Sequence, residues 1–407
     1  MGLSTSRHLA DIISESLETA ISNGVFSGGV ATIIENLGNA LTIAKGKTSS
    51  IDESPAIEAN TLFDLASLTK VVATTPSILM SIQKGRLSLS DRVIDLIPEL
   101  KQDKAGMTIA HLLTHTSGLP AWRPLFINHH GSESYIKAIA EEPLIGEPGC
   151  QVVYSDLGFM LLGFVLERIW DDELDSIAQT LVFSPLKMDA TAYRPLETFK
   201  DRSINIAATE KGNGFEKNMV LDYLSKYEKA GLPAGSLKIS NDEITALDWR
   251  EGVITGTVHD CNAFYGLDGV SGHAGLFSTV EDLQKYINVW MADDGASFID
   301  PFLRDIATRC HTGRLAPKRA LGWEASSIGG NLSQMATGCS GGDLLSKHAF
   351  GHTGFTGTSI WCDPDRHAAL ILLTNRVHPE ATDITKWRKA IHNRVFAAFG
   401  GSVQNPL

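Results

Sequence analysis

The 407-residue chain lacks any apolar run long enough to cross a bilayer. A span needs roughly 18 or more such residues, and the richest stretch, GFMLLGFVL at 158–166, is about half that length. Positive charge is not in excess either. Thirty-five Lys and Arg against 47 Asp and Glu give a net charge of −12 with histidines neutral, which argues against a broadly basic surface for nucleic-acid phosphates. The expected partner is a small-molecule or peptide-like substrate. The five cysteines are scattered and contain no C-x-x-C pair, so neither a disulfide framework nor a zinc site is indicated and buried reduced thiols are expected. No apolar signal-peptide core follows Met1. With Met1 as the native start the expected location is the cytoplasm, and with an upstream signal removed it is periplasmic or secreted. There is no internal repeat and no low-complexity tract, and nothing in the sequence speaks to oligomeric state.

What is present suits a large folded core, with 43% hydrophobic and 20% charged residues, enough for one composite domain or two. Residues 8–23 carry helical periodicity through Leu9, Ile12, Ile13, Leu17 and Ile21. The stretch 28–46 reads as two apolar strands joined at Asn36-Leu37-Gly38-Asn39. The far end mirrors this: 358–375 is strand, Asp-Pro-Asp turn, strand, and 384–399 is an amphipathic helix. Ends built alike predict one antiparallel sheet flanked by helices. Between them, 65–185 holds helical segments broken by turn signals, including SILMSIQKG, TIAHLLTH and DLGFMLLGFVLERIW. The expected architecture is α+β, an α/β sandwich: residues 1–66 and 252–407 form the sheet domain, 67–210 an inserted, mainly helical subdomain, and a cleft lies between them.

The stretch DLASLTKVV at 64–72 places Ser67 three residues before Lys70. Burying an unpaired ammonium is strongly unfavourable, so an ordinary core helix has no use for that lysine. On a helix beginning near Asp64 the two side chains share a face. Ser67 then falls in the first turn, where free N–H groups and the positive dipole end favour a developing anion. A serine hydroxyl becomes a useful nucleophile only when a neighbouring base takes its proton. Two further segments accompany this pair. YSDLGFMLLG at 154–163 sets Tyr154 just before an apolar helix, and FGHTGFTGTSIW at 350–361 sets His352-Thr353-Gly354 at the start of the C-terminal hairpin.

In this order the three segments resemble the motifs S-x-x-K, Y-x-N and K/H-T/S-G of the serine β-lactamase and penicillin-binding-protein superfamily, in its class C-like branch with esterase and D-aminopeptidase relatives. HLLTHTSGLPAW at 111–122 and GVSGHAGLFSTVEDL at 269–283 also look like family segments, and the resemblance runs roughly from residue 10 to 400. It implies the β-lactamase/transpeptidase-like fold and a metal-independent, cofactor-free hydrolase. Ser67 would be acylated, Lys70 and Tyr154 would share the acid–base work, and the N–H groups of Ser67 and Phe355 would hold the oxyanion. The reaction class implied is ester or amide cleavage through an acyl-enzyme. The alternatives are a true class C-type β-lactamase or D-amino-acid peptidase on the same site, and, from another class, an inactive penicillin-binding-like sensor, which the intact Ser67, Lys70 and Tyr154 argue against.

Two positions depart from the pattern. Asp156 stands where an asparagine is usual; ionised, it accepts but cannot donate, and it should favour a protonated Lys70, moving the base role toward Tyr154. His352 stands where many β-lactamases carry lysine and supplies little charge at neutral pH. Both changes point to a neutral ester in preference to an anionic β-lactam. Two patterns compete. GCSGG at 338–342 imitates a nucleophile elbow around Ser340, but NLSQMAT before it is a poor strand. His259, Asp260 and His273 could be imagined as metal ligands, but they lack a closely spaced histidine pair, and histidines bonded to backbone are expected. Finally, 211–251 is read as a largely polar insertion, with a short helix at MVLDYLSKY, serving as a lid over the cleft or as a solvated loop.

Overall fold

The computed structural model describes residues 3–35, 38–230, 239–292 and 298–400. Among the described residues nine short strands appear in chain order: β1 Gly28–Glu35, β2 Asn39–Gly46, β3 Phe63–Asp64, β4 Ala192–Tyr193, β5 Leu276–Ser278, β6 Glu324–Ala325, β7 Phe350–Thr353, β8 Ser359–Asp363 and β9 Ala368–Thr374. Six of them build one antiparallel sheet in the order β2-β1-β9-β8-β7-β6. The chain's two ends therefore meet in its middle, with Ala31 opposite Leu372 across β1 and β9. The turn expected at residues 36–39 joins β1 to β2, and its Asn36 and Leu37 lie outside the described residues.

Strand alternation divides two hydrophobic layers. Ala31 and Ile33 of β1, with Leu370 and Leu372 of β9, pack against the N-terminal helix Leu3–Ser22 (Leu9, Ile13, Leu17) and the C-terminal helix Thr385–Gly400 (Val395, Phe396). Val30, Ile34, Ile371 and Leu373 face the other way, into the main core with the helix Asp156–Trp170. Burial on both faces is why β9 reads as an uninterrupted apolar run, AALILLT. Each such Leu or Ile contributes roughly 1.5–3 kcal/mol by leaving water. A second, three-stranded sheet, β3-β5-β4, ties the segment before Ser67 to the stretch 276–278. No described helix is long and apolar enough to cross a membrane.

Three expectations need correction. The insertion 211–251 is more helical than its polar composition suggests: a helix runs over Gly214–Ala230 and another over Asn241–Ala246, while 231–238 lie outside the described residues. The first turn of the longer helix is satisfied by a group outside the insertion, since Glu210 Oε1 accepts the Phe215 N–H at 2.8 Å. The chain from Asp64 does not enter an α-helix directly, as described below. Of the five free cysteines, Cys261, Cys339 and Cys362 are buried, whereas Cys150 and Cys310 are exposed.

Candidate active site

The backbone around Ser67 is a tight turn. β3 pairs Asp64 with Phe277 of β5, which leaves only Leu65 to reverse the chain. A single 3₁₀ turn follows over Ala66–Leu68, then a wide π turn over Lys70–Thr74, and a regular α-helix only from Thr75 to Gln83. Ala66 is held at φ +45°, a left-handed conformation that costs a non-glycine residue roughly 1–3 kcal/mol and persists only where surroundings over-determine it. Asp64 is one such constraint. Its carboxylate accepts the N–H of Ala66 at 2.8 Å and that of His259 at 2.7 Å.

Lys70 is wholly buried and its ammonium is fully engaged. It donates to Ser67 Oγ at 3.0 Å and to the His273 carbonyl at 3.0 Å, and pairs with Asp156 Oδ1 at 2.8 Å. Burial pushes its pKa down, but the Asp156 carboxylate and the adjacent Tyr154 outweigh that and hold it above the ordinary lysine value. Lys70 is therefore a cation at neutral pH. Asp156 opens its helix under a cap: Ser155 Oγ accepts the Gly158 N–H at 3.2 Å and donates to the Pro120 carbonyl at 2.7 Å.

Tyr154, the residue before that cap, is flanked by two cations. Lys70 Nζ lies 5.0 Å and the Arg319 guanidinium 5.3 Å from its ring centroid. The His115 ring packs on Tyr154 at 4.5 Å, and His115 Nδ1 accepts the Ser155 N–H at 3.0 Å. Burial, reinforced by Arg319 and Lys70, holds the His115 pKa well below the usual imidazole value. The ring is neutral, and it orients Tyr154 through packing and through the next residue's backbone.

The third element is the end of β7. Gly354 lies where a Cβ would stand 2.1 Å from Thr358 Oγ1 and 2.3 Å from the Leu65 carbonyl, so only glycine lets the strand end approach the Ser67 turn. Two hydroxyls fasten it there: Thr356 Oγ1 donates to the Asp64 carbonyl at 2.6 Å and Thr358 Oγ1 to the Leu65 carbonyl at 3.1 Å. Phe355 follows in a turn beside Ser67, and Arg376 Nε donates to its carbonyl at 2.6 Å. His352 Nδ1 donates to the Thr353 carbonyl at 2.8 Å, and burial next to Arg319 and Lys70 lowers its pKa far enough to keep it neutral.

Ser67, Tyr154 and Phe355 line two cavities. One, of about 360 Å³, extends along β7 past Arg319, Arg376 and Arg388. The other, of about 190 Å³, is bounded by Trp122, Asp156 and the insertion's Phe215, Glu216 and Met219. The Phe215 and Phe355 rings meet at 4.7 Å, and the helix Gly214–Ala230 forms one wall of this second cavity.

A family model described as "Beta-lactamase" matches residues 11–393. The chain belongs to the β-lactamase family. It is 31% identical to a Salmonella agona (strain SL483) protein named "Putative D-alanyl-D-alanine carboxypeptidase", over 78% of this chain and 70% of that one. Among solved structures it resembles EstCE1, a hydrolase with promiscuous acyltransferase activity, at TM-score 0.70 and 18% identity over 96% and 99% of the two chains. A class C β-lactamase is similar at TM-score 0.68 and 17% identity over 98% and 100%. At those identities the structural likeness speaks for the fold, that of the β-lactamases and transpeptidases.

This β-lactamase-family hydrolase brings Ser67, Lys70, Tyr154, Asp156, His352, Thr353, Gly354 and Phe355 to one locus. Ser340 is elsewhere employed. A helix, Leu332–Thr337, precedes it, and its hydroxyl donates to Glu324 at 2.7 Å. His259 and His273 are not backbone-bonded as expected: they share hydrogen bonds with Glu210 at 2.9 Å and Asp260 at 3.0 Å. Each imidazole offsets a buried carboxylate, a need that sequence spacing does not display. Sequence reasoning missed His115 and the three arginines. His115 lay inside a segment already singled out, HLLTHTSGLPAW, whereas the arginines carry no motif signal.

Proposed function

We propose that Ser67 is the nucleophile of this hydrolase and that it cleaves an ester or amide by forming and then hydrolysing an acyl-enzyme. The observation that carries the reading is the wholly buried Lys70 ammonium donating to Ser67 Oγ at 3.0 Å, since a buried charge has to be paired and here one of its partners is a hydroxyl. With its ammonium hydrogen-bonded to Ser67 and the His273 carbonyl and ion-paired with Asp156, Lys70 acts as a charged positioning group. In its phenolate form, with the Lys70 and Arg319 cations beside the ring, Tyr154 takes the Ser67 proton as the Oγ–carbonyl bond forms, then returns it to the leaving group as the carbonyl–heteroatom bond breaks. Water enters by the same route in reverse and frees Ser67. The N–H groups of Ser67 and Phe355 hold the oxyanion, one such donor being worth roughly 3 kcal/mol in the transition state. The smaller, aromatic cavity under the insertion's helix suits the acyl portion. The relative's name supports a peptide-like carbonyl as substrate.

The test is covalent. A fluorophosphonate should add to one residue of the native protein, mapped by peptide mass to Ser67, and Ser67→Ala should lose the label. Labelling that survives Ser67→Ala but disappears in Ser340→Ala would sink the assignment. Turnover of a simple ester separates the hydrolase from a binding protein that retains the fold.

A further inference from the structure

A separate cavity of about 670 Å³, larger than either of those at Ser67, opens at the far end of β7. Phe350 begins that strand and lines this cavity, whereas Thr353 ends it in the cavity beside Ser67. One wall is aromatic, with the rings of Trp290 and Phe350 6.2 Å apart. The other is cationic, although the chain as a whole carries a net charge of −12. Arg304, from the helix Pro301–Thr308, donates to the Val289 carbonyl at 3.2 Å, and Lys318 donates to the Ile328 carbonyl at 3.4 Å. Both are half-buried, and neither they nor Lys347 form an ion pair among the described residues. The turn at Gly329-Gly330 lets the two lysines come in on either side of it. A Cβ at Gly330 would stand 2.8 Å from Lys318 Cε, and one at Gly329 3.8 Å from Lys347 Cβ. The two carboxylates lining the cavity have other partners. Asp365 shares a hydrogen bond with His348 Nδ1 at 2.8 Å, and Asp305 lies 3.7 Å from Arg309.

We propose that this cavity is a second binding site, separate from the Ser67 cleft, for a small phosphate monoester carrying an apolar ring. The phosphate lies among Arg304, Lys318 and Lys347, and the ring against Trp290 and Phe350. Cations held partly out of water without a carboxylate favour an anionic ligand. Their arrival from three separate segments decides its kind. A phosphate presents three strong acceptor oxygens, one for each cation, whereas a carboxylate presents two. Arg304 brings a planar fork and the lysines bring compact point charges, both of which suit phosphate. The aromatic wall adds what a bare anion cannot use, and ligand cavities of roughly 300–1,000 Å³ commonly join an apolar lining to a few placed polar groups. None of these residues belongs to the Ser67 machinery, so the site stands whether or not Ser67 is the nucleophile.

Calorimetric titration of the whole protein with phenyl phosphate should show one saturable site. Benzoate and inorganic phosphate should bind more weakly, the first for want of a third oxygen and the second for want of a ring. Lys318→Met, which keeps the apolar stem of the side chain, and Lys347→Ala should each weaken phenyl phosphate by roughly three- to tenfold, the range of a charge-assisted bond at a partly exposed site. Unchanged ester turnover in both variants shows that they are folded. Arg388→Ala, in the cavity beside Ser67, should leave the affinity for phenyl phosphate as it is. No saturable heat at millimolar phenyl phosphate overturns the site, as does an affinity untouched by both lysine variants. Binding lost in Arg388→Ala but kept in the lysine variants puts the ligand beside Ser67 and overturns it equally. Benzoate binding as tightly as phenyl phosphate overturns the choice of phosphate.

Discussion

The two cavities that meet at Ser67 handle charge in opposite ways. Under the insertion's helix, acidic side chains are abundant but locally settled: Asp156 pairs with Lys70, Glu210 with His259 and Asp260 with His273. Along β7 the Nε groups of Arg319 and Arg388 have no hydrogen-bond partner, and the nearby carboxylates of Glu324 and Asp383 form no close ion pair with either among the described residues. Desolvation makes an unpaired buried charge expensive whatever its sign. The paired side holds the Ser67 turn in shape, and the side along β7 keeps two buried donors unpartnered, the Nε groups of Arg319 and Arg388.

The strongest way to break this contrast is to remove the charge behind Ser67, the residue that lines both cavities. Lys70→Ala strips Asp156 and Ser67 of their common partner and should lower kcat by roughly 10²-fold or more, as should Tyr154→Phe. Circular dichroism would separate lost chemistry from unfolding. Near wild-type kcat in Tyr154→Phe would remove Tyr154 from proton transfer. The next effect comes from the wall between the cavities. Gly354→Ala puts a methyl group against Thr358 Oγ1 and the Leu65 carbonyl and displaces Phe355. Losing one oxyanion donor would cost roughly 10²- to 10³-fold in kcat, with KM much less changed. Wild-type turnover in that variant would mean that the Phe355 N–H is not needed.

Weaker effects sharpen the paired side. Phe215→Ala removes the ring that meets Phe355. An aromatic pair contributes roughly 0.5–1.5 kcal/mol, so KM for an aromatic acyl ester should rise by about two- to tenfold while kcat holds. An unchanged KM would show that the insertion's helix does not contact the acyl group. The smallest effect is on stability. Glu216, which accepts the Cys261 N–H at 2.7 Å, has its pKa pushed up to about 8 by burial and by the neighbouring Asp260. The native state keeps a proton that the unfolded chain releases from about pH 4.3. Stability from this group is therefore full below that pH and is lost as pH rises through about 8. The melting temperature should decline between pH 5 and 8, and Glu216→Gln should flatten that decline. An identical slope in the variant would show that Glu216 does not cause it.

Much of the framework was legible because local chemistry dictates it. The two apolar runs in 28–46 and the run AALILLT appear as β1, β2 and β9, and the periodic stretches 8–23 and 384–399 lie within the two helices that cover one sheet face. Ser67, Lys70 and Tyr154 could be found because their spacing is itself a chemical statement. The insertion was read as polar loop around one short helix, yet Gly214–Ala230 is helical. Its N-terminal turn is satisfied by Glu210, and Phe215 docks on Phe355. Similarly, His259 and His273 were expected on backbone partners because nothing adjacent in sequence reveals which carboxylate will be buried beside them.

By itself the sequence determined the antiparallel sheet closed by its own two ends, the helical segments between them, and the identity of the residues around Ser67. Those properties follow from periodicity and from motifs a few residues long. Tertiary structure decided the charge of the site. Lys70 is a cation because Asp156, 86 positions away, lies 2.8 Å from it, and the cavity along β7 is basic because Arg319 and Arg388 converge there from separate elements. Electrostatic energy depends on distance and on exclusion of water, and neither is set until the chain has folded.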